Sequence, residues 1–275
     1  MRKFIRKLTT SQYYANIFKQ NKKQISELCS LLADQKSRDT LSGIIKAYKT
    51  VLHPPWYYFA RIADGACSCY HFTSKEGYKV YGTSNPYFLE DIFNLNSDMI
   101  FLDGGAYIGD TIQLLSELLH GPCKYIYAFE PNDENFKKMK ASVKKYGPCV
   151  CCINSGLDNH DRVVSFLKAD AGSRISTDGT EEITVLDAGK FLSDLTENVP
   201  TFIKLDIEGK EPEVIKAMDA FIKTHRPDLA ISVYHKLEDL WEIPLQIHKI
   251  NPAYKIYLRH QSNYFTETVC YATQK

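Results

Sequence analysis

The sequence predicts an α/β fold: a seven-stranded, mostly parallel sheet with an antiparallel last strand, preceded by a mostly helical N-terminal region. Three observations predict it. From Met99 onward, short apolar runs alternate with stretches of helical periodicity, as in successive βαβ units. The last two apolar runs are too close in sequence for a crossover helix, so they must pair antiparallel. Before about residue 95, apolar residues recur at helical spacing instead.

The elements follow in order. Ile25, Leu28, Leu31 and Leu32, then Leu41, Ile44, Ile45 and Tyr48, mark two helices, and His53-Pro54-Pro55 ends the second. Trp56 to Tyr87 is aromatic and glycine-containing, suited to a short hairpin or an irregular cover. Expected strands are Met99–Leu102, Tyr125–Phe129, Val150–Ile153, Phe202–Leu205, Leu229–Val233, Tyr254–Leu258 and Thr268–Tyr271. Val163–Leu167 reads as one extra strand. Expected helices are Ile108–Leu119, Glu134–Tyr146, Leu186–Leu195, Glu213–Lys223 and Leu245–Lys249. The chain thus divides into a helical region over 1–95 and an α/β domain over 96–275.

Composition narrows the function classes. The 275 residues are 44% hydrophobic and 24% charged, as in ordinary globular proteins. With 34 Lys+Arg against 33 Asp+Glu, the net charge is +1. No global field recruits nucleic acid or an anionic membrane, so neither is an expected partner. The basic start MRKFIRKLTT is followed by Gln12, Asn16, Lys19 and Gln20, not by the apolar run of a signal peptide. No stretch reaches the roughly 18 apolar residues of a membrane span, and a cytoplasmic location is expected. The basic first segment reads as a helix packed on the α/β domain with its cationic face in water. The eight cysteines, including Cys67 and Cys69 and the trio Cys149, Cys151 and Cys152, lack paired CxxC spacing and read as free thiols.

The first strand runs into Asp103-Gly104-Gly105-Ala106-Tyr107-Ile108-Gly109-Asp110-Thr111, followed by a helix. Glycines there let a backbone turn sharply into a helix N-terminus and approach a ligand closely. The spacing is not GxGxxG, so a pyrophosphate-gripping turn fits poorly. Asp103 precedes the glycines, where an anion would repel a pyrophosphate but attract an ammonium group. The second strand ends in Phe129-Glu130-Pro131, and a carboxylate at that tip can accept both hydroxyls of a ribose. A cationic amino acid at one end and a ribose at the other describe S-adenosylmethionine. The expected cofactor contacts are Asp103, Gly104, Gly105, Ala106, Gly109, Thr111, Glu130 and Pro131. For adenine they are Asn154, Gly156 and Leu157, with Asn154 or Asp158 bonding the exocyclic amine and Leu157 covering the ring.

Phe101-Leu102-Asp103-Gly104-Gly105-Ala106 through Gly109 and Thr111, then Phe129-Glu130-Pro131, then Ile203-Lys204-Leu205-Asp206-Ile207-Glu208-Gly209 resemble the FkbM-type S-adenosylmethionine-dependent methyltransferases. The similarity covers roughly 99–272, including Tyr234-His235-Lys236, Arg259-His260 and Glu267-Thr268-Val269. Tyr87-Phe88 also looks like the lead-in of some members. The resemblance implies a Rossmann-like class I methyltransferase fold and O-methylation of a hydroxyl on a sugar or other small molecule. Tyr107 departs from the small or polar residue usual after Ala106.

Ligands of open α/β sheets bind beyond the strands' C-terminal ends, near the reversal of strand order. Asp206-Ile207-Glu208-Gly209 leaves the fourth strand and Tyr234-His235-Lys236 the fifth. A hydroxyl acceptor must be aligned and deprotonated. His235 is the expected base because imidazole titrates near neutrality. Asp206 would orient it or bond the acceptor, and Glu208 is the third candidate. Lys204 is expected to steady Asp206 by an ion pair, and His260 could reach the acceptor pocket. No metal is expected: Asp206, Glu208 and Asp228 could form a carboxylate clamp, but Asp228 starts its strand at the wrong end. A nicotinamide-dependent oxidoreductase and a catalytically silent S-adenosylmethionine-binding module are the alternative functions. The identity of the saccharide or small-molecule acceptor and the oligomeric state are not readable from the sequence.

Overall fold

In a computed structural model, residues 10–50, 85–167, 174–175, 179, 181–262 and 265–275 are described. The predicted helix stop at His53-Pro54-Pro55, most of the stretch from Trp56 to Tyr87, and Cys67 and Cys69 lie outside them. The N-terminal helices are α1 (Thr10–Gln20), α2 (Lys22–Leu31) and α3 (Gln35–Thr50). Each turns one apolar stripe inward, burying Tyr14 and Phe18, Leu28, and Leu41, Ile44 and Ala47 in turn.

The α/β part then runs β1 (Ile100–Gly104), α4 (Asp110–Leu118), β2 (Tyr125–Phe129), α5 (Asp133–Val143) and β3 (Val150–Ile153). Next come β4 (Gly156–Asp158), β5 (Arg162–Leu167), β6 (Arg174–Ile175), β7 (Glu181–Asp187) and α6 (Ala188–Ser193). The chain closes with β8 (Phe202–Leu205), α7 (Glu211–Ala217), α8 (Asp219–His225), β9 (Asp228–Ser232), α9 (Asp239–Ile250), β10 (Lys255–His260) and β11 (Thr268–Thr273).

The main sheet has the order β10-β11-β9-β8-β1-β2-β3. β11 pairs antiparallel with both β9 and β10, and the remaining pairs are parallel. This is the expected Rossmann-like architecture. β1, β8 and β11 are buried at every position, as strands covered on both faces must be. Strand order reverses between β1 and β8, which places their C-terminal ends on either side of the binding crevice.

Three local expectations are corrected. β4, β5, β6 and β7 form a second, four-stranded sheet of order β4-β7-β5-β6, which was not expected although its β5 was, as the strand Val163–Leu167. The helix expected from Leu186 starts at Ala188, because β7 runs on through Leu186 to Asp187, whose carboxylate caps the Lys190 N–H. The last helix begins at Asp239, not Leu245. Pro244 removes one bond to the Leu240 carbonyl, yet burial of Trp241, Ile243 and Ile247 holds the turn closed.

The N-terminal helices share one apolar core with the sheet. Phe18 and Trp241 rings meet at 6.1 Å, and Leu32 forms a parallel bridge with Ile256. The buried Arg259 guanidinium reaches from β10 to the Asp34 carboxylate at 2.7 Å. That tie fixes α3 against the edge of the sheet. Among the described residues, no helix is long and apolar enough to cross a membrane.

Candidate functional site

The loop after β1 is shaped by two glycines and stapled to the tip of β2. Gly105 and Gly109 have φ of 80° and 83°, which L side chains rarely adopt. A Cβ on Gly105 would lie 2.0 Å from the Asp206 carbonyl oxygen, so only glycine lets β1 and β8 approach this closely. The Gly105 and Ala106 N–H groups both donate to the Phe129 carbonyl, at 3.1 and 2.9 Å. Tyr107 has φ of 48° and an exposed ring, so the residue that departs from the family pattern stands at the mouth of the loop. Thr111 is buried in the first turn of α4.

Glu130 is the staple. Its Oε2 accepts the Tyr107 N–H and its Oε1 the Asn132 N–H, both at 2.9 Å. Asn132 in turn caps α5 through Glu134 and Asn135. Burial lifts the Glu130 carboxyl to about 7, against the pull of the two N–H groups. Each oxygen keeps a second lone pair, the capacity a ribose diol requires.

Asp103, expected to hold an ammonium group directly or through water, is itself enclosed beneath the loop. Its side chain has no exposure, and the Lys204 ammonium from the neighbouring strand lies 2.9 Å from Oδ1. The two residues are register partners across β1 and β8. The pair is poorly aligned for a hydrogen bond, so its attraction is mainly Coulombic. Lys204 donates instead to the Gly105 and Gly104 carbonyls, at 2.7 and 3.3 Å. Burial raises the Asp103 carboxyl even though Lys204 pulls it down. Burial would lower the Lys204 ammonium, but the Asp103 charge overrides this and raises it. The expected ion pair of Lys204 with Asp206 is thus a pair with Asp103, and it braces the loop from beneath.

The adenine-side residues spread out. Asn154 is exposed and donates to the Asp133 carboxylate at 2.6 Å, Pro131 is half-buried, and Gly156 lies at the start of β4. Leu157 is buried under Gly104, its Cδ1 3.2 Å from where a Cβ there would stand. It supports the loop from beneath. Asp158 is buried and paired with Arg162.

Beyond the ends of β8 and β9, Asp206 and His235 come together as predicted, with additions. Asp206 accepts the Tyr87 hydroxyl at 2.8 Å and the Tyr234 hydroxyl at 3.0 Å. His235 Nε2 lies 3.3 Å from Asp206 and 3.6 Å from Glu208, while Nδ1 faces Glu211 at 3.1 Å. Burial opposes the charge on Asp206, but His235, Lys204 and the two hydroxyls hold its carboxyl below the usual value. Burial likewise opposes the charge on His235, yet Glu211, Asp206 and Glu208 raise it to about 9. At neutral pH the ring carries its proton, so His235 is not the free base the sequence suggests. It is an imidazolium clamped between strand-end carboxylates.

Asp206, Glu211 and His235 can each present one ligand atom within 4.8 Å of the others, the spacing of a metal site. Here each ring nitrogen already faces a carboxylate, and the resulting imidazolium neutralises the charge an ion would otherwise neutralise. Glu211 was not anticipated. It is fully buried, and its Oε1 also accepts the Ile207 N–H at 2.7 Å. The only sequence signal was a second acid three residues beyond Glu208. Tyr87 and Tyr234 were visible only as aromatic residues near motifs. Asp228 begins β9, far from this end of the sheet, as expected.

The fit to S-adenosylmethionine rests on these observations. A glycine cradle that any side chain would fill meets a buried carboxylate with free lone pairs, next to a cluster rich in acids. That combination suits a cationic nucleoside and would repel a pyrophosphate.

Comparison with known proteins agrees. The family model described as "Methyltransferase FkbM domain" matches residues 103–253. The chain is 26% identical over 125 residues to the hexuronic acid methyltransferase AglP of Haloferax volcanii, an alignment covering 44% of this chain and 50% of that protein. A crystal structure of methyltransferase FkbM from Methylobacillus flagellatus KT superposes with a TM-score of 0.72 at 23% identity, over 94% of this chain and 60% of that one. The chain therefore spans about half to three-fifths of the length of these relatives. Because the matched segment holds both the glycine cradle and the β8 carboxylates, the chain belongs to the FkbM methyltransferase family, whose cofactor is S-adenosylmethionine.

Proposed function

We propose that this protein transfers a methyl group from S-adenosylmethionine to a hydroxyl of a saccharide or similar small polyol. The carrying observation is the Asp206 centre, where two tyrosine hydroxyls and an imidazolium converge on one carboxylate at the strand-order reversal. Beside it a small crevice with about 10 Å³ of free space is lined by Tyr48, Tyr234, Lys236, His260, Phe265 and Thr268. Aromatic faces suit the C–H faces of a sugar ring, and the polar groups suit its hydroxyls. The related hexuronic acid methyltransferase motivates the saccharide class. Lys236, exposed at this crevice, would favour an acceptor that also carries a carboxylate.

In this reading Gly104, Gly105, Ala106, Gly109 and Thr111 form the cofactor cradle. Asp103 acts on it through Lys204, Glu130 and Pro131 meet the ribose, and Asn154, Gly156 and Leu157 border the adenine. The bound cofactor supplies an electrophilic methyl on a good leaving group. The protein's part is alignment, worth roughly 7–11 kcal/mol in favourable cases, and removal of the acceptor's proton. Asp206 fixes the Tyr87 and Tyr234 hydroxyls around the acceptor, and His235, itself faced by Glu208, holds Asp206 in place. The region 96–275 carries catalysis, while the helices of 1–95 contribute a wall of the small crevice through Ile44 and Tyr48. A net charge of +1 gives no global attraction to nucleic acid, which supports a small-molecule acceptor.

The test is transfer of a labelled methyl from S-adenosylmethionine to hexuronates, neutral hexoses and their nucleotide conjugates. An alkali-stable methyl ether on one of them is the expected product. An alkali-labile methyl ester would replace the hydroxyl with the carboxylate as acceptor. Tight cofactor binding with no transfer to any member would favour the silent binding module.

A further inference from the structure

The site as described lacks an obvious proton acceptor. Asp206 is already met by three donors, at 2.8, 3.0 and 3.3 Å. His235 holds its proton between Glu211 and Asp206. A fourth acid, Glu267, acts on the same groups from the stretch Glu267-Thr268-Val269, which the sequence marked only as part of the resemblance.

Its backbone is unusual. Glu267 has φ of 68°, a left-handed conformation that a glutamate adopts only when its surroundings impose it. Tyr107 and Glu208, at the mouths of β1 and β8, share this feature, with φ of 48° and 57°. Two bonds impose it on Glu267. The Gln261 N–H donates to the Glu267 carbonyl at 2.9 Å, and the Val233 N–H to the Thr268 carbonyl, also at 2.9 Å. The antiparallel register Val269↔Ser232, continued two steps, brings Glu267 level with Tyr234. Its neighbours Thr268 and Phe265 line the small crevice beside Tyr234. Glu267 therefore lies between residues that border the crevice and opposite Tyr234, whose hydroxyl bonds Asp206.

We propose that the Glu267 carboxylate is the catalytic base that takes the proton of the acceptor hydroxyl, a proposal that rests on the methyl-transfer reading above. The acceptor oxygen's lone pair forms the new O–C bond while its proton passes to Glu267. The methyl–sulfur bond breaks with its electron pair retained on sulfur, which becomes a neutral thioether. Glu267 then returns the proton to water. Its surroundings tune it for that task. The groups acting on it are Asp206 and Glu208 from the loop after β8, His235 from the loop after β9, and Lys204 on β8. The Tyr87 and Tyr234 hydroxyls also feel its charge. Burial first, then the Asp206 charge, lifts its carboxyl to about 7 against His235 and Lys204. Near neutral pH such a group is partly ionised yet basic, the condition for efficient general-base catalysis.

The experiment compares the wild type with Glu267→Gln and Glu267→Asp. Affinity for S-adenosylhomocysteine, read by calorimetry, should change by less than about threefold in both. Single-turnover methyl transfer should fall at least about 100-fold in Glu267→Gln, within the span a positioned base contributes. Glu267→Asp should retain part of the rate, and the wild-type inflection near pH 7 should vanish in Glu267→Gln. A fall of less than threefold, or an inflection that survives, overturns the proposal. A carbon-13 carboxyl titration of the S-adenosylhomocysteine complex needs no acceptor: Glu267 should titrate near 7, and a value near 4 overturns the proposal independently. If the wild type methylates no hydroxyl, the function reading fails instead, and the titration alone decides whether Glu267 is poised as described.

Discussion

Replacing Lys204 with methionine tests the brace beneath the cofactor loop. The ammonium sits 2.9 Å from the Asp103 carboxylate and donates to two carbonyls of the loop, with both side chains essentially without exposure. Methionine fills similar volume but leaves the Asp103 charge buried and uncompensated. Breaking a buried pair in this way costs about 3–5 kcal/mol. For a domain of this size that is a fall in Tm of roughly 6–20 °C. The pH dependence has a definite sign. Burial already raises the folded-state value of Asp103, and loss of Lys204 raises it further. A carboxyl raised on folding contributes stability below its unfolded value near 4, and that stability is lost as pH rises through the folded value. The deficit of Lys204→Met should therefore be smaller at pH 5 than at pH 8, read by urea unfolding followed by circular dichroism. Adding Asp103→Asn removes the stranded charge and should recover more than half of the loss at pH 8. A deficit under about 1 kcal/mol at pH 8, or a double variant no better than Lys204→Met, would show that the pair is not what holds the loop.

Other outcomes follow from the same geometry. Glu130→Ala should weaken S-adenosylhomocysteine binding by about 1.5–3 kcal/mol, the scale of hydrogen bonds to a charged group. Calorimetry checks it, and an unchanged affinity would take Glu130 out of the site. Gly105→Ala should destabilise by at least about 2 kcal/mol, because the new Cβ meets a carbonyl oxygen at 2.0 Å and φ is 80°. Gly121→Ala, with nothing within 4 Å of the new atom, is the matched control in the same thermal melts. His235, raised to about 9, contributes stability that is complete below about pH 6.5 and is lost as pH rises through 9. Its magnitude is on the order of 3 kcal/mol. Unfolding measured from pH 6 to 10 should show this slope in the wild type and lose it in His235→Gln.

The sheet was legible because burial of parallel strands on both faces leaves an unmistakable apolar run, as in Ile100–Gly104 and Phe202–Leu205. Of the second sheet only β5 was legible: β4 is three residues and β6 two, so neither periodicity nor length marks them. Pro244 disguised the start of α9 because the propensity of one residue outweighed, in a sequence reading, the burial of the residues around it. At the site, chemistry tied to a motif was legible: Asp103, Gly105, Glu130 and Asp206 all stand at strand ends around the crevice. Roles that depend on charge partners were not. His235 read as a base because an isolated imidazole titrates near neutrality. Glu211 and Asp206, brought to its two nitrogens from another strand's loop, reverse that by stabilising the charged form.

The sequence by itself determined the layering of the fold, the glycine cradle and the type of cofactor, since local spacing and residue chemistry act over a few positions along the chain. The tertiary structure alone decided which ionised groups meet: Lys204 with Asp103, His235 with Glu211, and Glu267 with the Asp206 centre. These pairings join residues up to 101 positions apart in Asp103–Lys204. The protonation of a buried group is set by the charges and solvent removed around it, and these exist only once strand register has brought distant segments to the same end of the sheet.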